Sequence, residues 1–348
     1  MNKCRGILFL LSSVVLSSVV LFSHGLAHHA FVEFDRGQVI EVEGEVIRVL
    51  WANPHIRFSV RSTDESGTET VWNVEGSSLS ILSRMGITED VITPGESIRV
   101  AGSPARSGAP RMTVSNVLVG GGEIVLGSRS TPRWEETAVG TDHDLMAGGT
   151  VSDDTTIFRV WTTDGDDPHS NTPGFWPGDY PLTDAARIAQ SQWVPIAGSE
   201  CEPKGMPTIM EQPYPIEFIQ EGTNVVLRIE EYDSVRTIHV GDAAIGGTAT
   251  GEVRDKTLLG YSQGRWEDST LVVETSDIDW MYFDKEGIPQ GDTMSIVERF
   301  TPSEDGSRLE YTMTVTDPEV FTEPVSLERH WVWRPGEVVR PYECTWGE

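Results

Sequence analysis

The C-terminal part of the chain is a succession of short segments in which apolar and polar residues alternate. This period of two is typical of β-strands with one buried face. The segments are PIEFIQEG, NVVLRIEEYD, SVRTIHVG, STLVVETSDI, MSIVERFTP, RLEYTMTVTD and LERHWVWRP, and Gly, Asp and Pro turns separate them. Seven or eight sequential strands predict an antiparallel, lipocalin-like β-barrel over residues 205–348, because closure removes exposed strand edges. A β-sandwich is the alternative.

An earlier part of the chain shows a second β pattern that contains one short helix. Three strand-like segments lie between Gln38 and Val74, and SSLSILSRMG then has apolar residues spaced by three and ends at Gly86. PGESIRVAG and RMTVSNVLV restore the strand pattern. Three strands, a helix and two strands are the element order of a five-stranded OB-type barrel. The sequence therefore predicts an all-β protein whose residues 28–125 form an OB-like barrel, the alternative being another small β domain.

Residues 126–204, between these two patterns, have little periodicity and are rich in Gly, Asp, Thr and Pro. TIFRVWTT (156–163) is compatible with a lone strand, and TDAARIAQ (183–190) with one helix. We expect this stretch to be an irregular linker that wraps a neighbouring domain rather than folding alone.

Residues 1–27 have the three-part layout of a secretory signal peptide. Lys3 and Arg5 precede an uncharged run over residues 7–22, and small residues precede a cut after Ala27. A single membrane anchor is the alternative, but the run is shorter than the roughly 20 apolar residues that a spanning helix needs. No second long apolar run follows, so we expect a periplasmic or secreted protein without a membrane span after cleavage.

The charge balance excludes one class of partner. The chain has 54 acidic and 26 basic residues, a net charge of −28. Nucleic acids are bound by neutralising phosphates with Lys and Arg, so we expect no nucleic acid partner. The acidic residues are scattered along the chain, which favours a solvated surface.

Two cysteines, Cys201 and Cys344, lie beyond the signal peptide. An even number of cysteines in an oxidising compartment predicts one disulfide between them. Two free thiols and a metal site are the alternatives, and the absence of a CxxC motif makes them less favoured.

The expected new amino terminus carries candidate metal ligands. After cleavage, His28 offers an α-amino group and an imidazole nitrogen, a chelate that favours Cu(II). His29 is adjacent, and His55 follows the Asn53-Pro54 turn at the start of a predicted strand. A flexible tail and a packed His55 are the alternative interpretation.

Two charged residues lie on otherwise apolar strand faces of the C-terminal barrel. Glu298 alternates with apolar residues in MSIVERF, and Arg329 shares its face with Trp331 in LERHWVW. Because an unpaired buried charge is very costly, the two side chains are expected to pair with each other or to face a polar cavity. The first arrangement is a structural ion pair, and the second is a ligand pocket with aromatic walls.

The segment DIDWMYFDKEG (277–287) places carboxylates among aromatic rings. A carboxylate in such surroundings can have a raised pKa and act as a general acid or base, so Asp284 is a candidate, with Glu298 and His330 as further candidates. A simple hairpin turn is the alternative for residues 284–287. The candidates for contact with a ligand are aromatic residues and one cation: Trp266, Trp280, Tyr282, Arg329 and Trp331.

Two sets of motifs in the chain are distinctive. The first is HHxF from His28 with WANPH (51–55), and the second is GRWEDSTLVVET (264–275) with VERF (297–300). On these motifs the chain resembles exported proteobacterial proteins of unknown function, in which the first domain is joined to a lipocalin-like one. The resemblance implies no activity.

Three functions remain open at this point. The first is binding of a small, largely apolar molecule in the C-terminal barrel. The second is acid–base catalysis on a hydrophobic substrate such as a terpenoid, steroid or aromatic compound. The third is copper handling by the amino-terminal histidines. Signatures of serine hydrolases, zinc peptidases, phosphate-binding loops and dinucleotide-binding folds are absent from the sequence.

Overall fold

Two closed β-barrels account for the strand patterns of the sequence. The computed structural model describes residues 34–127, 130–141, 148–165, 178–194, 201–241 and 254–345. The N-terminal barrel has five strands and the C-terminal barrel has nine, which confirms the predicted all-β class with an OB-like and a lipocalin-like part. Within the described ranges, no helix is long and apolar enough to cross a membrane.

The N-terminal barrel follows the predicted element order. Its elements are β1 (Ile40–Leu50), β2 (Arg57–Thr63), β3 (Glu69–Glu75), α1 (Leu79–Arg84), β4 (Ser97–Pro104) and β5 (Arg111–Val119). The strands pair in the order β3-β2-β1-β4-β5, and a parallel pairing of β3 with β5 closes the barrel. Two further short strands, β6 (Gly122–Val125) and β7 (Ala138–Val139), extend the sheet beside β5.

The interior of this barrel is built from the apolar residues that alternate along its strands. Val42 and Val46 of β1 pack with Phe58 and Val60 of β2, and Leu82 of α1 adds to the same cluster. The helix ends where the sequence indicates, because Gly86 adopts a φ of 71° that disfavours residues with a side chain.

The C-terminal barrel has nine strands. They are β8 (Val160–Thr163), β9 (Ile216–Glu221), β10 (Asn224–Ile229), β11 (Ser234–Val240), β12 (Tyr261–Glu267), β13 (Thr270–Ser276), β14 (Ser295–Pro302), β15 (Arg308–Thr316) and β16 (Val325–Val332). β8 pairs with both β16 and β9 and so closes the barrel, although it comes from the stretch for which the sequence predicts a wrapping segment. All neighbouring strands of the barrel are antiparallel except β11 and β12, which are parallel.

The remaining described elements are short. Helix α2 (Asp184–Gln192) begins at Thr183, whose side chain accepts a hydrogen bond from the Ala186 amide, and it matches the predicted helix closely. Single turns of 3₁₀ helix occur at Glu89–Val91, Thr208–Met210 and Glu231–Asp233.

The lumen of the C-terminal barrel is filled by side chains. Phe300 lies 5.1 Å from Phe218 and 4.8 Å from Tyr311 between ring centres, and the Tyr311 ring lies 5.2 Å from that of Trp331. All four residues are almost completely buried. The middle of the barrel is therefore a packed core of side chains.

The C-terminal segment of the chain joins the two barrels. The Tyr342 amide donates to Asp233 of the C-terminal barrel (3.1 Å), and the Tyr342 carbonyl accepts from the Asn53 side chain of the N-terminal barrel (2.7 Å). Cys344 forms the predicted disulfide with Cys201. The disulfide therefore fixes the segment before residue 205 to the junction between the barrels.

Candidate functional site

A cleft opens in the wall of the C-terminal barrel where β11 meets β12. The two strands pair only through residues Ile238–Val240 and Ser262–Gly264. The first half of β11 therefore faces the loop before β12 instead of a strand, and a cavity of about 530 Å³ lies between them. Residues 203 and 204 and Tyr232 complete its wall.

The cleft has apolar walls that are open to solvent. Val235 is 56% exposed and Leu258 is 38% exposed, although both are large apolar residues. Leu259, Tyr232 and Tyr261 add further apolar surface. Exposed apolar side chains that converge on one concavity are a feature of small-molecule sites, whereas single ones scattered over a surface need no explanation.

The charged residues that line the cleft are all basic or imidazole side chains. They are Lys204, Arg236 and His239, and no carboxylate is among the described residues of the lining. This composition differs from that of the chain, in which acidic residues outnumber Lys and Arg by 54 to 26.

Lys204 is held at the cleft by a defined set of contacts. Its Nζ donates to Glu231 Oε1 at 2.7 Å and lies 5.2 Å from the centre of the Tyr232 ring. Burial lowers the pKa of Lys204, but the Glu231 carboxylate raises it more, and the net direction is upward. The ammonium is therefore charged at neutral pH, and its side chain keeps 23% exposure.

The backbone beside Lys204 is in an unusual conformation. Tyr232 and Asp233 are consecutive non-glycine residues with φ of 59° and 50°, in the left-handed region. Each such residue costs about 1–2 kcal/mol, so the surrounding structure must fix this geometry. The Tyr342 amide, which bonds Asp233, and the Tyr342 ring, 5.0 Å from that of Tyr232, provide this support.

A buried ion pair forms the base of the cleft. The guanidinium of Arg236 donates to both carboxylate oxygens of Glu298, to Ser262 Oγ (2.8 Å) and to Thr275 Oγ1 (2.5 Å). Glu298 also accepts from the Tyr311 hydroxyl at 2.8 Å. Burial lowers the pKa of Arg236 and the Glu298 carboxylate raises it, with a net upward direction. The two charges neutralise each other and are hydrogen-bonded to their neighbours, so this network links five strands, β11 to β15.

The structure separates Glu298 from its predicted partner. Glu298 binds Arg236 of β11, whereas Arg329 donates to the carbonyl oxygens of Met210 (2.7 Å) and Gln212 (3.1 Å), which precede β9. The Arg329 guanidinium also lies 4.3 Å from the Trp331 ring, as their shared strand face predicts. The hypothesis of a Glu298–Arg329 pair is therefore wrong, and each side chain has its own structural role.

The predicted aromatic ligand contacts lie in different places. Trp266 is 40% exposed at the far end of the barrel and contacts Phe158, with ring centres 5.9 Å apart. Trp280 and Tyr282 contact each other in the connection between β13 and β14, and Trp280 Nε1 donates to Thr208 at 2.9 Å. Trp331 is buried in the lumen. None of these four side chains lines the cleft.

Asp284 lies in a buried polar group in the connection between β13 and β14. Its Oδ1 accepts from the Glu286 and Ile288 amides at 2.9 Å and 3.2 Å, as expected of a turn. Burial, followed by the nearby Glu211 carboxylate, raises the pKa of Asp284 to about 7. Lys285 Nζ donates to the Glu211 carbonyl at 2.7 Å, and burial lowers the pKa of Lys285. A carboxyl group that titrates near neutral pH is suited to proton transfer.

His330 is on the outside of the barrel, away from Asp284. Its Nε2 lies 3.1 Å from Asp164 Oδ2, and both side chains are mostly buried. The Asp164 carboxylate also accepts from the Gly148 amide at 2.9 Å. The pair therefore fixes β16 to the segment that follows β8.

Of the three predicted metal ligands, only His55 lies among the described residues. His28 and His29 lie outside the described residues. His55 Nδ1 donates to the Gly76 carbonyl at 3.1 Å, and Nε2 lies 3.9 Å from Glu75 Oε1. Within the described ranges, no three His, Cys, Asp or Glu side chains are grouped as a metal site would require.

Sequence reasoning did not select the residues of the cleft. Arg236 carries a usable signal, because it shares its strand face with Ile238 and Val240 in SVRTIHV. Lys204 lies in a segment without periodicity, and its position depends on the fold around it.

The N-terminal part of the chain is similar to a known sequence family. Residues 16–113 match the family model of DUF6152, a family of unknown function. The match covers β1 to β4 and the start of β5, and it excludes every residue of the cleft. No curated protein matches the chain.

Proposed function

We propose that the protein is exported and binds a small, largely apolar molecule in the cleft between β11 and β12. The observation that carries the proposal is the cleft itself. Its volume of about 530 Å³ is within the usual range for ligand sites, roughly 300–1,000 Å³, and exposed apolar side chains form its walls. The layout of residues 1–27 supports export.

The packed lumen favours the wall of the barrel as the binding site. Phe218, Phe300, Tyr311 and Trp331 occupy the space that a ligand holds in an open barrel. Binding in the lumen requires these side chains to move, and displacement of well-packed aromatic residues costs several kcal/mol. The cleft requires no such rearrangement.

A titration with the neutral, apolar dye Nile red tests the proposal. We expect saturable fluorescence enhancement by the wild-type protein and about fivefold weaker binding by Leu258→Gln, because contact with a half-exposed leucine contributes about 1 kcal/mol. Val297→Gln is the matched control, since Val297 is also 38% exposed but lies outside the cleft on β14. Equal losses of Nile red affinity in both variants, or no saturable binding by the wild-type protein, would contradict the proposal.

Acid–base catalysis at Asp284 is a second candidate function. A carboxyl group with a pKa of about 7, beside Glu211 and Lys285, favours it. Under this second function the bound compound is a substrate, and the Asp284 carboxyl group transfers a proton to it or from it.

Mass spectrometry tests this candidate. A compound that is extracted with the purified protein is incubated with fresh protein, and its conversion is measured. The wild type is expected to convert the compound and Asp284→Asn to leave it unchanged. Binding without conversion by the wild type, or equal conversion by both proteins, would reject catalysis by Asp284.

A further inference from the structure

We infer that the ligand of the cleft is an elongated apolar carboxylic acid whose carboxylate binds Lys204. The inference rests on the proposed function and goes beyond it by naming a chemical class. Three features of the described residues lead to it: the charge of the lining, the state of each basic side chain and the shape of the cleft.

The first feature is the sign of the charged side chains that line the cleft. Carboxylates are the most abundant charged groups of this chain, yet none is among the described residues of the lining. The two nearby carboxylates, Glu231 and Glu298, are buried and each is paired with a basic side chain of the lining, so the ligand faces the basic groups first. Exposed charges farther away are screened over a Debye length of about 8–10 Å. The net charge of −28 makes such a site unusual on this protein.

The second feature is that the basic side chains of the lining are not equivalent. Four of the five N–H donors of Arg236 bind Glu298, Ser262 and Thr275, and its side chain is only 1% exposed, so this guanidinium is out of reach of a ligand, whereas the Lys204 side chain is 23% exposed. Lys204 directs one N–H to Glu231 and interacts with the Tyr232 side chain. An ammonium group has three donors, which leaves one N–H for a ligand oxygen. Lys204 is therefore the anchor for an anion.

The strained backbone beside Lys204 is consistent with this role. The left-handed residues Tyr232 and Asp233 place the Tyr232 ring against the ammonium and one wall of the cleft. Strained backbone is concentrated at ligand-binding and catalytic positions, because an unstrained alternative would otherwise replace it. A fixed ammonium binds a carboxylate with little loss of side-chain entropy.

The third feature is the shape of the cleft. Its lining runs along β11 from Ser234 to His239, which corresponds to about 16 Å at about 3.3 Å per residue. Lys204 and Tyr232 are at one end, and His239, which stacks on Tyr261 at 5.0 Å, is at the other. Val235 and Leu258 provide apolar surface for the ligand. An acid with an unbranched or flat apolar body fits this outline.

Displacement of Nile red by decanoate and by decan-1-ol tests the inference. The two probes share the same chain length and differ in the charge of one end. We expect decanoate to bind the wild-type protein at least about tenfold more tightly, as is typical of a charge-assisted hydrogen bond. Val235→Glu is expected to weaken decanoate binding about tenfold relative to Val235→Gln, and to affect decan-1-ol equally in both variants. Val297→Glu controls for the added charge.

A double variant tests the anchor. Lys204→Gln alone leaves the mostly buried Glu231 charge without its partner, so Lys204→Gln/Glu231→Gln is used, in which two amides replace the ion pair. This variant is expected to bind both probes with similar affinity. Equal affinity of the wild type for both probes, or displacement by neither while Nile red binds, would overturn the inference and leave the proposed function intact. Failure of Nile red itself to bind would reject the proposed function.

Discussion

The raised pKa of Asp284 makes a quantitative prediction about stability. The residue is 6% exposed, and burial followed by the Glu211 carboxylate raises its pKa from 3.8 to about 7. In the unfolded chain the Asp284 carboxyl group has its ordinary pKa of 3.8. Between these two values the folded protein holds a proton that the unfolded chain releases, so the unfolding free energy falls as the pH rises. At about 1.4 kcal/mol for each pH unit, the full loss is about 4 kcal/mol.

Asp284→Asn removes this dependence. The amide oxygen can accept from the same two backbone amides, and the side chain stays neutral at every pH. The unfolding free energy of Asp284→Asn relative to the wild type is therefore expected to increase by about 2–3 kcal/mol between pH 5 and pH 8.5. Urea unfolding followed by tryptophan fluorescence, with the disulfide intact, measures it at both pH values.

Asp305 provides a control of opposite sign. Hydrogen bonds from Ser303 and Ser307 lower the pKa of Asp305 to about 2, so this carboxylate stabilises the fold above its unfolded pKa and loses that effect in acid. Asp305→Asn is expected to destabilise the protein at pH 8.5. Parallel pH profiles for the wild type and Asp284→Asn would refute the burial argument.

Three further predictions concern other parts of the molecule. Glu298→Gln leaves the buried Arg236 guanidinium without its carboxylate and is expected to cost about 3–5 kcal/mol of unfolding free energy in urea; a cost below about 1 kcal/mol would show that the pair is dispensable. Reduction of Cys201–Cys344, which are 143 residues apart, is expected to lower the unfolding free energy by about 4–5 kcal/mol on the chain-entropy model; calorimetry with and without reductant measures it, and an unchanged transition would contradict the expectation. Protein processed to begin at His28 is expected to bind one Cu(II) more tightly than a version with an added N-terminal Gly, and equal affinities by isothermal titration would reject the chelate.

The sequence predicted both barrels because their apolar residues follow local periods. The strand and helix patterns of the N-terminal part were sufficient to give the OB-like order, and the positions of β1 to β5 agree with it. β12 was harder to recognise, because Gly264 and Arg265 interrupt the alternation in YSQGRWE. β8 was identified as a strand, but nothing in its own residues shows that it pairs with β16 and β9.

The candidate site depends on contacts between distant parts of the chain. Strand parity correctly predicted that Glu298 is buried, but its partner is 62 residues away on β11 and is selected by how the barrel closes. The cleft exists because β11 and β12 are parallel and pair over three residues each. Lys204 reaches it through the fold of residues 201–205 against Glu231 and Tyr232. No local pattern encodes these relations.

The most direct test of the binding site is a crystal structure of the protein soaked with 10-bromodecanoate. The anomalous signal of bromine locates the end of the chain independently of the rest of the ligand. We expect the carboxylate at Lys204 Nζ and the bromine along the cleft between Val235 and Leu258, towards His239. Bromine in the lumen beside Arg329 and Trp331, or no ordered ligand at the cleft, would contradict a binding site in the wall of the barrel.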